Sequence, residues 1–225
     1  MSNLSYMQNA TDKGQLQINV TTERGVFPIE DASISLSYTG YPTETIEELT
    51  TNISGQTATL ELPTPPLEYS MEPSESQPYS EYTIQVNAPG YRPINISGIS
   101  VLPDETSVQN VRMETATAEN PLERNIVITA NTLFGNFPPK IPEDEIKPMN
   151  ESGEIVLSRV VVPEYVIVHD GPPNDRSAAD HYVRFKDYIK NVAASEIYAT
   201  WPESTIRANV LAIISFTLNR VYTEW

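Results

Sequence analysis

A two-residue period dominates the first half of the chain. Leu16, Ile18 and Val20 interleave with Gln15, Gln17 and Asn19, the pattern of a strand with one face buried. Ile34, Leu36 and Tyr38 repeat it, and Ala58, Leu60 and Leu62 alternate with Thr57, Thr59 and Glu61. Tyr82, Ile84 and Val86 follow, then Ile94 and Ile96, and less regularly Val108, Val111 and Met113. Turn formers separate the runs: Gly25, Gly40-Tyr41-Pro42, residues 52–55, residues 63–66 and Pro89-Gly90. Short strands at such intervals, with no helical period between them, predict a β-sandwich over residues 14–114, preceded by a flexible stretch over residues 1–13.

Residues 115–155 break the pattern and predict a connector. Ile126, Val127, Ile128 and Leu133 suit one further strand. From Phe137 to Pro148 four prolines stand among five charged residues, so this stretch should be extended and stiff. Strand character returns at residues 160–162 and 165–168, with a loop at residues 171–175 and a second short strand at residues 181–184.

From Phe185 the period becomes 3.6. Phe185, Ile189, Val192 and Glu196 fall at i, i+4, i+7 and i+11, one face of a helix. This places Glu196 on the core-facing stripe at the helix carboxyl end. Burial and the negative potential there both disfavour a charged carboxylate, the condition a general acid requires. Two other outcomes stay open: the helix ends a turn early and Glu196 turns outward, or Glu196 pairs with Arg207 at the surface. A second helix follows, with Pro202 in its first turn and Glu203 at its amino end. Ile206, Val210, Ile213, Ile214, Leu218, Val221 and Tyr222 form its apolar stripe, interrupted by Arg207, Asn209 and Arg220. Arg207 is near enough in sequence to reach the Glu196 loop, or else forms a surface ion pair. Tyr198 and Trp201 suit either sugar stacking or core packing.

Composition narrows the chemistry. Thirty acidic residues against fourteen basic ones give a formal charge of −16 in 225 residues, which argues against nucleic-acid and anionic-membrane partners. No apolar run approaches the roughly 20 residues of a membrane-spanning helix, and the start of the chain lacks the basic and apolar stretches of a secretion signal. The absence of cysteine excludes disulfides, thiol catalysis and thiolate zinc sites, and two histidines exclude a histidine-rich metal site. His169-Asp170 suits an acid/base pair or, more simply, a loop anchor. Asp170, Asp175 and Asp180 lack the glycine and ligand alternation of a calcium loop. No cofactor is expected.

Two resemblances extend the reading. Gly14-Gln15-Leu16-Gln17-Ile18, residues 28–34, Thr51-Asn52-Ile53-Ser54-Gly55, residues 82–86 and Ala88-Pro89-Gly90-Tyr91 together resemble the transthyretin-like, carboxypeptidase-regulatory-type sandwich. Domains of that kind serve as folding aids, spacers or binding modules. Residues 185–197, then Trp201-Pro202-Glu203 and Arg207-Ala208-Asn209, resemble the start of a stage II sporulation protein D/LytB domain. Residues 165–172, 137–144 and 212–221 are similar to the clostridial spore cortex-lytic enzymes of the SleC type.

The resemblance implies an α+β chain: a sandwich prodomain, a proline-rich connector, and over residues 156–225 the opening of a catalytic domain with two helices. It further implies a zymogen located in the spore cortex and outer spore layers. A subtilisin-like germination protease would remove its N-terminal part. The expected cut lies within Glu154, Ile155, Val156, Leu157, Ser158, Arg159 and Val160. The mature enzyme would cleave cortex peptidoglycan as a lytic transglycosylase, with Glu196 as its acid/base and Trp201, Arg207 and Tyr198 as weaker candidates for substrate contact. In that family the catalytic domain continues past the position of Trp225 into a wall-binding region, so an inactive or incomplete form is expected here. The rival expectation is a non-enzymatic structural, inhibitory or wall-interaction module.

Overall fold

The computed structural model of the chain describes residues 12–71, 75–117, 119, 122–130, 133–134, 161–172 and 175–223. It forms two compact units, residues 1–135 and 136–225.

In the first unit the strands are β1 (Asp12–Thr22), β2 (Ser33–Tyr38), β3 (Thr45–Thr50), β4 (Leu60–Thr64), β5 (Ser80–Asn87), β6 (Ile94–Val101), β7 (Thr106–Met113) and β8 (Arg124–Val127), with a single helical turn α1 (Glu68–Met71). They make a three-stranded sheet in the order β4-β1-β7 and a five-stranded sheet in the order β3-β2-β5-β6-β8. The inward residues of both sheets, among them Leu16, Ile18 and Val20 of β1 and Ile34 and Leu36 of β2, join one buried cluster. The unit is a β-sandwich. The two-residue period predicts it because each inward side chain removes apolar surface from water while its neighbours stay solvated.

Pairing is partly non-local. β1 runs antiparallel to β4 but parallel to β7, in register from Gln15 opposite Thr106 to Thr22 opposite Met113. β6 and β8 are also parallel. Tyr82 lies in the core, its ring stacked on Tyr38 at 5.1 Å and its hydroxyl donating to the Pro63 carbonyl at 2.7 Å. Burial pushes its phenol well above the usual tyrosine range. In β6, Ser97 and Gly98 together oppose Thr83, which is a β-bulge. Gly98 has φ +83°, and a Cβ there would lie 2.3 Å from the Ile128 carbonyl oxygen, so only glycine fits without displacing backbone.

Three features depart from the sequence expectation. β3 has no alternation, because five of its six residues are exposed and none is fully buried on this sheet edge. β4 begins at Leu60, later than the alternating run that starts at Thr57. Thr57 is instead buried, its hydroxyl accepting the Ile18 amide at 3.0 Å, so a polar side chain takes an inward place. Residues 124–127, taken as part of the connector, complete the five-stranded sheet as β8.

The second unit has a two-stranded antiparallel ribbon, β9 (Tyr165–His169) and β10 (Asp180–Arg184), followed by α2 (Phe185–Ala194) and α3 (Glu203–Thr223). Val166, Phe185, Ile189 and Ile213 form its buried centre, with Val168, Val183, Val192, Val210, Ile214 and Leu218 around them. The other face of the ribbon exposes Tyr165, Ile167 and Tyr182, and α3 exposes Leu211 and Phe216. Among the described residues, no helix is long and apolar enough to cross a membrane.

Candidate functional site

The turn from α2 to α3 carries the acid singled out from the sequence. α2 stops at Ala194 because Ser195 closes it: the Ser195 amide reaches the Asn191 and Val192 carbonyls, and its hydroxyl donates to Asn191 O at 2.9 Å. A serine hydroxyl bonded back to the fourth preceding carbonyl competes with continuation of the helix. The amides of Glu196 and Ile197 both reach Ala193 O at 3.0 Å, and Ile197 and Tyr198 then turn inward and are buried. The Trp201 amide donates to Tyr198 O at 3.2 Å, and Pro202 O accepts from Thr205 and Ile206 as α3 begins.

Glu196 therefore lies beyond the helix, and its side chain is exposed. This corrects the placement on the core-facing stripe. The 3.6-residue period that carries Phe185, Ile189 and Val192 inward ends at Ala194, so the i+11 position no longer shares their face. Arg207 is not drawn to Glu196 either. Its guanidinium donates to Glu203 Oε1 at 2.6 and 3.0 Å, one helical turn away and open to solvent. Tyr198 is buried, which removes it as a stacking surface for sugar, whereas Trp201 is half-buried. The predicted activation segment, Glu154 to Val160, lies outside the described residues.

Glu196 is nonetheless held. Asn209, in the second turn of α3, donates its Nδ2 to Glu196 Oε2 at 3.0 Å. Asn209 Oδ1 is buried and finds no donor among the described residues. An acceptor left in that state costs on the order of 1–3 kcal/mol. Asn209 registers in the sequence only as a polar interruption of an apolar stripe. The signal that marks it is the combination of that interruption with an acid thirteen residues earlier, at the end of the preceding helix.

His169 acts as a loop anchor. Its Nδ1 meets Asp180 Oδ1 at 2.9 Å and its Nε2 meets the Pro172 carbonyl at 3.1 Å. The hydrogen bond to Asp180 is the chief reason its imidazole is held above the ordinary histidine value, opposed by some desolvation and aided by the Pro172 carbonyl. Asp175 is held below the ordinary value, first by the Ser177 hydroxyl and then by the Ser177 amide. Among the described residues, no group of three or more His, Cys, Asp or Glu side chains converges as a metal site would require. A cavity of about 470 Å³ belongs to the sandwich and is lined by Asp12, Lys13, Gly14, Gln15, Glu61 and Asp104.

No family model and no curated protein matches the chain. Several solved structures are similar to parts of it, among them the following three. The Bacillus anthracis TIE protein is 19% identical over 47% of this chain and 17% of its own, with a TM-score of 0.32. The minor pilin GBS52 of Streptococcus agalactiae is 12% identical over 59% of this chain and 48% of its own, with a TM-score of 0.33. The 5-hydroxyisourate hydrolase of Klebsiella pneumoniae is 19% identical over 46% of this chain and 92% of its own, with a TM-score of 0.28. The chain thus spans less than half of the TIE protein and of the pilin. At such scores the sandwich assignment rests on the strand pairing and the shared core described above.

Proposed function

We propose that the chain is the pro-form portion of a peptidoglycan lytic transglycosylase that degrades spore cortex during germination, with Glu196 as its single acid/base. In this reading residues 14–114 are a transthyretin-like prodomain. The unit containing α2 and α3 opens a stage II sporulation protein D-like catalytic domain. A subtilisin-like protease activates the protein by cutting between Glu154 and Val160. The observation that carries the reading is the similarity of residues 165–172, 185–197 and 212–221 to the cortex-lytic enzymes. Glu196 itself is an exposed carboxyl at a helix-to-helix turn, one oxygen held by Asn209, without the burial expected from the sequence. A polymeric substrate can reach an acid placed there. The same similarity supplies the substrate class.

One carboxyl suffices for this chemistry. Protonated Glu196 gives its proton to the glycosidic oxygen as the bond to the anomeric carbon breaks. The 6-hydroxyl of the same sugar then bonds to that carbon and returns its proton to Glu196, leaving a 1,6-anhydro end and consuming no water. Hydrolytic glycosidases, in contrast, use two carboxyl groups at set separations. Glycan laid across the turn displaces water from the acid, the condition under which a carboxyl delivers a proton efficiently.

The test is a muropeptide assay on the chain expressed with any coding sequence that follows Trp225, after protease treatment. Glu196→Gln is expected to abolish release of anhydro ends, and undiminished release would remove Glu196 from the role. A second reading, a non-enzymatic interaction module, is favoured by the exposed Val26, Phe27 and Ile53 on the loops of the sandwich. Under it, isolated sandwich added to processed enzyme slows cortex lysis, whereas absence of any binding argues for a spacer.

A further inference from the structure

We infer that Asn209 is a positioning residue for Glu196: its amide fixes the carboxyl through Oε2 and leaves Oε1 as the oxygen that exchanges a proton with substrate. The catalytic half of this inference rests on the proposed transglycosylase reading. The clamp itself does not.

Two observations carry it. Asn209 Nδ2 donates to Glu196 Oε2 at 3.0 Å across the turn, tying the second turn of α3 to the residue just after α2. The same amide leaves its own carbonyl oxygen buried with no donor among the described residues. Position 209 belongs to the half-buried side of α3, next to Val210 and one turn from Ile206 and Ile213. A leucine or alanine there would continue the apolar stripe and leave no orphaned acceptor. The amide is unfavourable locally, and the interaction that offsets it is the hydrogen bond given to Glu196.

The choice of an amide suits an acid that must both hold and release a proton. Asn209 orients the carboxyl without placing a positive charge beside it, which would favour the ionised form throughout the cycle. The cation nearest in the sequence of α3, Arg207, is engaged by Glu203 instead. An exposed glutamate with three rotatable bonds samples many directions. Fixing one oxygen to a helix converts it into a group of defined aim, and lost aim of about 1 Å is enough to cost on the order of 100-fold in rate.

Two measurements test the inference. In the 225-residue chain labelled with carboxyl carbon-13 glutamate, the Glu196 signal is identified by its disappearance in Glu196→Gln. Asn209→Ala is expected to move that signal, and Asn209→Gln, which keeps a donor amide, to restore it in part. In the protease-treated muropeptide assay, Asn209→Ala is expected to lower kcat by about 10- to 100-fold with KM changed by less than about twofold, again with partial recovery in Asn209→Gln. Should Asn209→Ala fail to fold, Asn209→Asp, which has the same shape but no amide donor, serves in its place. An unmoved Glu196 signal in a folded variant overturns the clamp. A moved signal with unchanged kcat overturns its role in catalysis. If Glu196→Gln itself stays fully active, the transglycosylase reading fails and takes the catalytic half with it, while the spectrum still decides the clamp.

Discussion

The two units solve the same problem to very different extents. In the sandwich, eighteen described apolar residues form one buried cluster, most of them at 3% exposure or below. In the strand–helix unit four residues form the buried centre, each at 7%. Charge divides unevenly too: seventeen acids against five bases up to residue 135, and thirteen against nine from residue 136 onward. The sandwich is sealed inside and strongly repulsive outside, so the hydrophobic gain readily offsets the ordering of its chain. Both units keep apolar side chains outside, Val26, Phe27 and Ile53 in the sandwich and the outer face of the ribbon and α3 in the second unit, but the second unit has far less buried core to set against them.

That contrast breaks most easily in the sandwich core. Leu36→Ala removes a fully buried side chain and should cost about 2–5 kcal/mol. Both tryptophans, Trp201 and Trp225, belong to the second unit, so tryptophan fluorescence follows that unit, while amide hydrogen exchange in β1 and β5 follows the sandwich. Leu36→Ala is therefore expected to shift the exchange of the β1 and β5 amides to lower urea and leave the fluorescence transition in place. A common shift of both signals would show that the units unfold as one. Ile189→Ala, in the thinner core, should cost less, about 1–3 kcal/mol, and move the fluorescence transition alone.

A finer probe is Tyr82→Phe, which keeps the ring stack on Tyr38 but leaves the Pro63 carbonyl without its donor. About 1 kcal/mol of sandwich stability is expected to go, read by the same denaturation. The smallest effect concerns pH in the second unit. His169 is held above its ordinary value of 6.5 because its protonated ring donates to Asp180 and to the Pro172 carbonyl. Its contribution is complete below the unfolded-state value and is lost as pH rises through the higher folded-state value. Protection of the Asp170 amide, which is bonded to Ala179 O, relative to its unstructured exchange rate should fall across that interval, and His169→Gln should flatten that fall.

Legibility followed the physics of each element. β1, β2 and β5 were readable because their alternation is the direct imprint of one wet and one dry face. β3 was not, since an edge strand rich in acid and exposed at five of its six residues carries no such imprint. β8 lies far in sequence from the elements it completes, and its parallel pairing with β6 is a tertiary fact that no local pattern announces. Both late helices were legible, including Pro202 at the entry to the second. The inward placement of Glu196 fails, and the open alternative, an early helix end that turns the acid outward, is what the chain adopts: Ser195 ends α2 by hydrogen bonding backward, so the helix stops two residues short of Glu196. Asn209 was visible as an anomaly in the stripe, but only coordinates join it to its acceptor.

The parallel union of β1 with β7 has a consequence for biosynthesis. β1 occupies the middle of its sheet, yet the partner on one side is about ninety residues away, at residues 106–113. During translation the opening segment therefore emerges with half of its backbone ladder unmade and waits until roughly half the polypeptide has cleared the ribosome. The excess of carboxylates over this stretch then acts as a kinetic safeguard, keeping nascent copies on a polysome apart while the last strand is still being made.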